Sequence, residues 1–219
     1  MPKEASGILC SMSEVKEETI SGFKLNFGLL YGKEVAVAVS GVGKVSAAMC
    51  AQVMILRFKV DEIINVGIAG SLSPELRVFD FVVANKLCQH DFDTSATGDP
   101  VGFISGVDKI YFESCERINN LLKRCVMITD AHYLHGIIAS GDVFVTNPEK
   151  KKYIAEAFGA VACEMEGAAI AQVCFANGVD FGVLRCISDA ENADMDYMRF
   201  AEIASKKSAD IIKEYIKRA

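Results

Sequence analysis

The sequence predicts a single α/β domain over residues 1–219, with three layers in which helices cover both faces of a central mixed, mainly parallel sheet. Short apolar runs of strand length alternate along the chain with longer segments whose apolar residues recur at helical spacing. Strands that alternate with helices are typical of α/β folds with a parallel sheet. A chain of this length can bury about 70% of its unfolded surface in one core.

The predicted strands begin with a hairpin, in which residues 23–30 and 34–40 flank the turn Tyr31-Gly32-Lys33. This hairpin makes the predicted sheet mixed. The remaining strands are short apolar runs that end at glycine or at polar residues. They cover residues 62–72, 81–87, 136–141, 159–163 and 181–189.

Helices are predicted where the apolar spacing changes to that of a helix. The segment after Lys44 places Ala47, Ala51 and Met54 on one face. Asn147-Pro148 begins another helix, because asparagine is a good cap and proline is favoured at the first helical position. The other predicted helices cover residues 113–123, a segment that begins at 167, and a C-terminal segment that begins near 200. Residues 90–106 are predicted to form a long loop.

Composition excludes several classes of function. The formal net charge of −6 argues against a general binder of nucleic acid or anionic membranes. The sequence has no apolar run of about 18 residues and no signal-peptide apolar region at its start. Its eight cysteines are scattered singly, most of them in apolar runs, which favours reduced and buried thiols in a cytoplasmic protein. No metal or organic cofactor is implied.

Polar or small residues follow several of the predicted strands. Because ligands bind at the carboxyl ends of strands in α/β sheets, these segments are candidates for one shared site. Glu164 and Glu166 stand where a strand passes into a helix, and Asp189 ends the last strong strand. A carboxyl group that is partly desolvated there would have a raised pKa, which suits a proton donor. The candidate segments are 41–43, 67–71, 140–142, 164–166 and 188–189.

Two sharper interpretations do not fit. The stretch SGVGKVS is similar to a phosphate-binding P-loop, but Ala38 and Val45 stand where that motif needs glycine and a hydroxyl residue. His132 and His135 have the spacing of a metal pair without a third ligand at a characteristic distance in the sequence. Acid–base chemistry by carboxylates remains.

The motifs at these strand ends resemble those of the purine nucleoside phosphorylase and nucleosidase superfamily. The resemblance covers nearly the whole chain and is strongest to the 5′-methylthioadenosine/S-adenosylhomocysteine nucleosidases. It implies hydrolysis of the N-glycosidic bond of methylthioadenosine, adenosylhomocysteine and 5′-deoxyadenosine, with release of adenine. The motifs, in chain order, are VSGVGKVSAA, INVGIAGSL, IASGDVF, CEMEGAAIAQVC and LRCISD.

The resemblance also implies a role for individual residues. Asp189 would be the general acid that protonates adenine N7, and Glu166 would bind the ribose 2′-hydroxyl. Glu164 would have a structural role. The other residues implied to line the substrate site are Gly70, Phe144 and Val145 near adenine, Met165 near the ribose, Arg185 near the attacking water, and Ser188 beside the acid.

The base that activates water has two candidates. In the family, the first strand leads into a carboxylate-rich turn whose last glutamate is the base. MPKEASGIL matches that turn without gaps, which makes Glu4 the base, Met1 a sugar-pocket residue, and the family's first strand absent from the N-terminus. The alternative takes GILCSMSEV as the strand and turn, which makes Glu14 the base but requires a deletion of about eight residues. We predict Glu4.

Departures from the family's sequence pattern help to distinguish a hydrolase from a phosphorylase. Asn65 and Ile68 stand where the phosphorylases have arginine and a hydroxyl residue, and phosphate binding needs such donors, so a hydrolase is predicted. Thr97 replaces a common aromatic residue of the 5′ pocket. In the family this loop reaches across a homodimer, which is therefore expected. The alternatives are another purine-nucleoside hydrolase or phosphorylase, or a nucleoside-binding protein of this fold that has lost turnover.

Overall fold

The computed structural model describes residues 2–189 and 197–219. Six α-helices alternate with nine strands in this part of the chain. The strands are β1 (Ser13–Ile20), β2 (Phe23–Leu30), β3 (Lys33–Ala38), β4 (Glu62–Ser71), β5 (Phe81–Gln89), β6 (Phe112–Glu113), β7 (Tyr133–Ser140), β8 (Ala160–Glu164) and β9 (Asp180–Asp189). The helices are α1 (Pro2–Leu9), α2 (Lys44–Phe58), α3 (Glu116–Ile128), α4 (Pro148–Phe158), α5 (Gly167–Asn177) and α6 (Tyr197–Arg218).

The strands form two sheets. The first three strands form an antiparallel sheet in the order β1–β2–β3, and the predicted hairpin lies in this separate sheet, so it is not what makes the main sheet mixed. The second sheet has the order β6–β5–β7–β8–β4–β9, and β5 pairs with β9 as well. Strands β5, β7, β8, β4 and β9 therefore close into a ring. The pairs β4–β9, β5–β7 and β7–β8 are parallel, and the others in this sheet are antiparallel. The predicted α/β domain with a mixed sheet is confirmed, and the ring closure is a feature that apolar runs do not indicate.

Helices cover the second sheet from both sides. One buried apolar cluster joins α2 and α5 to the sheet, and a second joins α3 and α6 to it. Helix α1 packs on α6 so closely that a Cβ atom at Gly7 would lie 2.8 Å from the Cβ of Ala209. Six of the eight cysteines are buried, as predicted. In the described ranges, no helix combines the length and the apolar character that a membrane span requires.

Two elements near the start of the chain were not predicted as regular structure. Strand β1 has the sequence SEVKEETI and is mostly exposed, so its pattern lacks the apolar alternation of a strand that covers a core. It forms because it pairs with the apolar β2 along most of its length. Helix α1 is only eight residues long, and its stability depends on packing against α6 rather than on propensity.

Helix α3 begins at Glu116 instead of 113, because Phe112 and Glu113 pair with β5.

Candidate active site

The strand register brings four of the predicted segments to one edge of the sheet. Gly70 of β4 lies opposite Asp189 of β9 on one side and opposite Cys163 of β8 on the other. Glu164 follows Cys163 and is aligned with Ser140 of the neighbouring β7. The carboxyl ends of β4, β7, β8 and β9 therefore meet, as ligand sites in α/β sheets require.

Glu164 is fixed in the interior by the turn that follows it. The N–H of Gly167 donates to both of its carboxylate oxygens, at 2.9 and 2.8 Å, and the N–H of Glu166 donates at 3.0 Å. The hydroxyl of Ser140 also donates to Glu164, and accepts from the N–H of Ala168 at 2.7 Å. These donors belong to the first turn of α5, where the helix dipole favours a negative charge.

Arg185 is the charge partner of Glu164. Its side chain is 1% exposed, and its Nη2 donates to Glu164 and to the amide oxygen of Asn65. Burial alone would raise the pKa of Glu164, but the charge and hydrogen bond of Arg185, with those of Ser140 and Gly167, outweigh it and lower that pKa. Gly67 is needed here, because a Cβ atom at that position would lie 2.9 Å from the Arg185 guanidinium.

Glu166 points away from this buried pair and toward the loop after β3. Its Oε1 accepts a hydrogen bond from the N–H of Gly43 at 3.1 Å, and its Oε2 lies 3.9 Å from the Arg185 guanidinium. Burial raises the pKa of Glu166, the charge of Glu164 raises it further, and Arg185 opposes both effects. Gly43 has φ +90°, and a Cβ atom on it would lie 2.9 Å from a carboxylate oxygen of Asp142. Glycine is thus required for this contact.

A second polar network ties together the loops after β3, β5 and β7. Lys44 forms an ion pair with Asp91 at 2.7 Å and donates to Gln89 at 2.9 Å. The N–H of Lys44 donates to Asp142 at 2.7 Å, and the N–H of Asp142 donates to Asp91 at 2.8 Å. His90, beside this network, is buried, and burial lowers its pKa, so the ring is neutral near pH 7.

Sequence reasoning missed this second network. Residues 90–106 were predicted only as a loop, and Lys44 was considered only as part of a P-loop that does not fit. The signal was nevertheless present, since the apolar strand β5 ends at Gln89 and is followed directly by His90 and Asp91, as the recognised polar segments end or follow their strands.

The remaining predicted substrate residues lie around the same edge. Phe144 is 77% exposed, whereas Val145 is half-buried against the cluster that contains Ile154. Met165 is half-buried between the two glutamates. The hydroxyl of Ser188 donates to the carbonyl of Ala69 at 3.2 Å, which joins β9 to β4 one residue before Asp189 and Gly70.

The two predicted catalytic residues are placed by their backbone alone. Asp189 ends β9, and Glu4 lies in the first turn of α1. Their side chains, and Met1, lie outside the described residues. Arg185, predicted near the attacking water, is buried and donates to Glu164.

Glu14, the alternative base, lies at the other end of the first sheet. Its neighbour Ser13 pairs with Leu29, and Leu29 pairs with Glu34 at the start of β3. Gly43, which contacts Glu166, follows the opposite end of β3. At about 3.3 Å per residue, the four steps from Glu34 to Ala38 put roughly 13 Å between these two positions of β3.

Comparisons with known proteins show which family the chain belongs to. The sequence profile described as the phosphorylase superfamily matches residues 1–217. An aminodeoxyfutalosine nucleosidase from Helicobacter pylori is 38% identical over 93% of this chain and 88% of its own length. A 5′-methylthioadenosine/S-adenosylhomocysteine nucleosidase from Shewanella halifaxensis is 34% identical over 100% of this chain and 96% of its own length.

A solved structure gives the same relationship. The crystal structure of the 5′-methylthioadenosine/S-adenosylhomocysteine nucleosidase from Campylobacter jejuni superposes with a TM-score of 0.95. It is 34% identical and is matched over 100% of this chain and 96% of its own. The resemblance inferred from the motifs is thereby confirmed, and the chain belongs to the phosphorylase superfamily.

Proposed function

We propose that this chain is a nucleosidase that hydrolyses the N-glycosidic bond of 5′-substituted adenosines, 5′-methylthioadenosine, S-adenosylhomocysteine and 5′-deoxyadenosine among them, and releases adenine. The observation that carries the proposal is the arrangement of Glu164, Arg185 and Glu166. Glu164 neutralises the buried arginine, while Glu166 faces the loop after β3, where its Oε1 accepts from the N–H of Gly43. The names of the relatives support the same reaction class.

The reaction requires catalysis at two places, the leaving adenine and the ribose. Glycosidic cleavage passes through an oxocarbenium-like state, and adenine leaves poorly unless it is protonated. In this proposal Asp189 donates a proton to N7 of adenine, and Ser188 beside it holds the end of β9 to β4. Adenine would be held by Gly70, by the backbone of Val145 and by stacking on the exposed ring of Phe144.

Glu166 is proposed to bind the ribose 2′-hydroxyl. Because its Oε1 is anchored by the N–H of Gly43, its Oε2 can accept from the sugar. A carboxylate there also stabilises positive charge that develops on the ribose ring. Met165, half-buried beside it, would pack on the sugar.

This assignment makes a prediction about pH. The pKa of Glu166 is raised above the ordinary 4.5, and only its ionised form carries the negative charge that stabilises positive charge on the ribose, so kcat/KM should fall as the pH is lowered through that raised value. A pH profile for methylthioadenosine hydrolysis checks this expectation. In Glu166→Gln the acid limb should disappear along with most of the activity; an unchanged limb would assign it to another group.

We propose Glu4 as the base that activates water. Gly7 packs on Ala209 in the middle of α6, and the chain continues from Leu9 to Ser13 at the far end of the first sheet. This path supports the proposal that the first turn of α1, which contains Glu4, faces the sheet edge where β9 ends. Glu14 lies at the far end itself.

A matched pair of variants tests this choice. Glu4→Gln is expected to lower kcat by about 10²-fold or more, the usual contribution of a general base, with little change in KM. Glu14→Gln should retain wild-type kcat because its exposed side chain lies far from the site. Steady-state assays of adenine release decide the matter, and full activity in Glu4→Gln would contradict the assignment.

The site favours water over phosphate as the nucleophile. Asn65 is bound to Arg185, and Ile68 is half-buried against the second apolar cluster, so neither position supplies a cationic or hydroxyl donor to an anion. Adenine release from methylthioadenosine should therefore proceed equally with and without phosphate. Release only with phosphate would indicate a phosphorylase, and binding of adenine without turnover of any adenosine derivative would indicate a nucleoside-binding protein.

A second candidate substrate comes from the relatives. The Helicobacter pylori protein at 38% identity is named for aminodeoxyfutalosine. The relatives with the two names have similar identity to this chain, so the 5′ group must be determined by assay. Comparison of kcat/KM for aminodeoxyfutalosine and methylthioadenosine assigns the 5′ group.

We also propose a homodimer in the cytoplasm, which size-exclusion chromatography with light scattering and cell fractionation would test.

A further inference from the structure

The N-terminus of helix α2 is held by carboxylates from distant parts of the chain. Gly43 caps this helix and has no side chain, so α2 lacks a side-chain cap of its own. The N–H of Gly43 donates to Glu166 at 3.1 Å, and the N–H of Lys44 donates to Asp142 at 2.7 Å. The positive end of the helix dipole favours both negative charges. The position of the Glu166 carboxylate is therefore tied to the position of this helix end.

Asp91 binds both of the residues that fix the helix end. One of its carboxylate oxygens accepts from Nζ of Lys44 at 2.7 Å, and the other accepts from the N–H of Asp142 at 2.8 Å. Because Lys44 and Asp142 also bind each other, the three residues form a closed circuit of hydrogen bonds. The side chains of Lys44 and Asp91 are 17% and 21% exposed, so solvent and salt screen their ion pair less than a surface pair.

A second path connects this circuit to α5, the helix that begins directly after Glu166. Nζ of Lys44 donates to the amide oxygen of Gln89 at 2.9 Å, and the amide nitrogen of Gln89 donates to Gln172 of α5 at 2.7 Å. Gln89 is buried, and α2 and α5 also share one apolar cluster. Polar contacts and apolar packing together hold the two helices relative to each other.

We propose that Asp91 is a positioning residue for the reaction: by binding Lys44 and Asp142 it fixes the N-terminus of α2, and with it the Gly43 N–H that holds Glu166 against the ribose. The inference rests on the proposed role of Glu166 at the 2′-hydroxyl. Asp91 itself does not touch the sugar in this assignment. It acts through geometry, because a displacement of about 1 Å in a group that contacts the substrate can lower the rate by about 10²-fold.

Asp91→Asn tests the proposal with a small change in shape. The amide oxygen can accept from only one of the two donors, and the NH₂ group then faces the other, so the circuit is broken. The matched control is Asp93→Asn, the same change in the same loop, where the carboxylate accepts from the N–H of Ser95 at 2.8 Å. We expect kcat/KM for methylthioadenosine to fall about tenfold or more in Asp91→Asn and to keep its wild-type value in Asp93→Asn.

A double-variant cycle shows whether the loss passes through Glu166. If Asp91 acts by positioning that carboxylate, Asp91→Asn should lower kcat/KM by less than about threefold in a chain that already carries Glu166→Gln. The loss should be equally small for a 2′-deoxy substrate, which lacks the hydroxyl that Glu166 is proposed to bind. A full tenfold loss in both tests would overturn the proposal, since Asp91 would then act through another group.

Two further measurements do not depend on turnover. In Asp91→Asn the amide hydrogen of Gly43 should exchange at least about tenfold faster, because the end of α2 is released. The pKa of Glu166, followed by NMR of its carboxyl carbon, should rise further, because the Gly43 N–H stabilises the charged form. Neither value should change in Asp93→Asn.

These measurements separate the inference from the proposed function. If both changes appear in a chain that releases no adenine, the proposed function fails, and the connection from Asp91 to Glu166 stands. If kcat/KM falls in Asp91→Asn while the Gly43 exchange rate and the Glu166 pKa keep their wild-type values, the nucleosidase function stands and the positioning role of Asp91 is contradicted.

Discussion

Asp189→Asn is expected to lower kcat/KM for methylthioadenosine by about 10²- to 10⁴-fold, the range over which a general acid contributes. The residue ends β9 opposite Gly70, where the register brings the carboxyl ends of β4, β8 and β9 together. Asparagine keeps the shape of the side chain but has no proton to transfer to N7. Because Asp189 lies at the end of its strand, Tm should change little.

The nature of the leaving group separates this role from a structural one. In a ribosyl substrate that carries an activated phenolate in place of adenine, the phenolate leaves without protonation. Asp189→Asn should therefore hydrolyse this substrate at nearly the wild-type rate. Ser188→Ala serves as the matched control, since it removes the hydrogen bond to Ala69 but leaves the acid in place. Its kcat should fall much less. If the variant lost activity equally on both substrates, Asp189 would be a binding or structural residue.

The sequence predicted where the site lies more completely than it predicted the hydrogen bonds and ion pairs within the site. Apolar runs followed by glycine or acidic residues identified the ends of β4, β7, β8 and β9, because both signals are local in sequence. Which of Glu164 and Glu166 turns inward is a different question. It depends on Arg185, which lies 21 residues further along the chain and meets Glu164 only in the folded protein. The motif resemblance, rather than local pattern, suggested that Glu164 was structural.

The features that were missed share a physical cause. Strand β1 and helix α1 have weak local signals and are stabilised by long-range packing on β2 and α6. The pairing of β5 with β9 closes the ring between residues more than 100 positions apart in the sequence, and no local period encodes it. The ion pair of Lys44 and Asp91 likewise joins two loops that are distant in sequence. Such contacts depend on which strands and loops the fold brings together. The local helix and strand propensities of a single sequence do not encode that arrangement.

Glu164→Gln is expected to destabilise the folded chain by about 3–5 kcal/mol, the range for removal of one partner from a buried ion pair. For a domain of this length such a change lowers Tm by roughly 10 °C. The reason is Arg185: its side chain is 1% exposed, and glutamine would remove the carboxylate that its Nη2 contacts, leaving the longer pair with Glu166 at 3.9 Å. Thermal or denaturant unfolding measures the loss. Glu156→Gln is the matched control, because Glu156 is exposed and its pair with Lys152 should contribute almost nothing.

The pair also gives stability a defined pH dependence. The pKa of Glu164 is lower in the folded chain than in the unfolded one, so its contribution is present above the unfolded value and is lost as the pH falls through the folded value. Glu164→Gln should therefore flatten the acid side of the stability curve. The double variant Glu164→Gln/Arg185→Met should lose less free energy of unfolding than the two single variants lose in sum, because it removes both buried charges together. Additive losses would contradict the pairing. Arg185 would then be retained for the active site alone, with Glu166 rather than Glu164 as the partner that neutralises its charge.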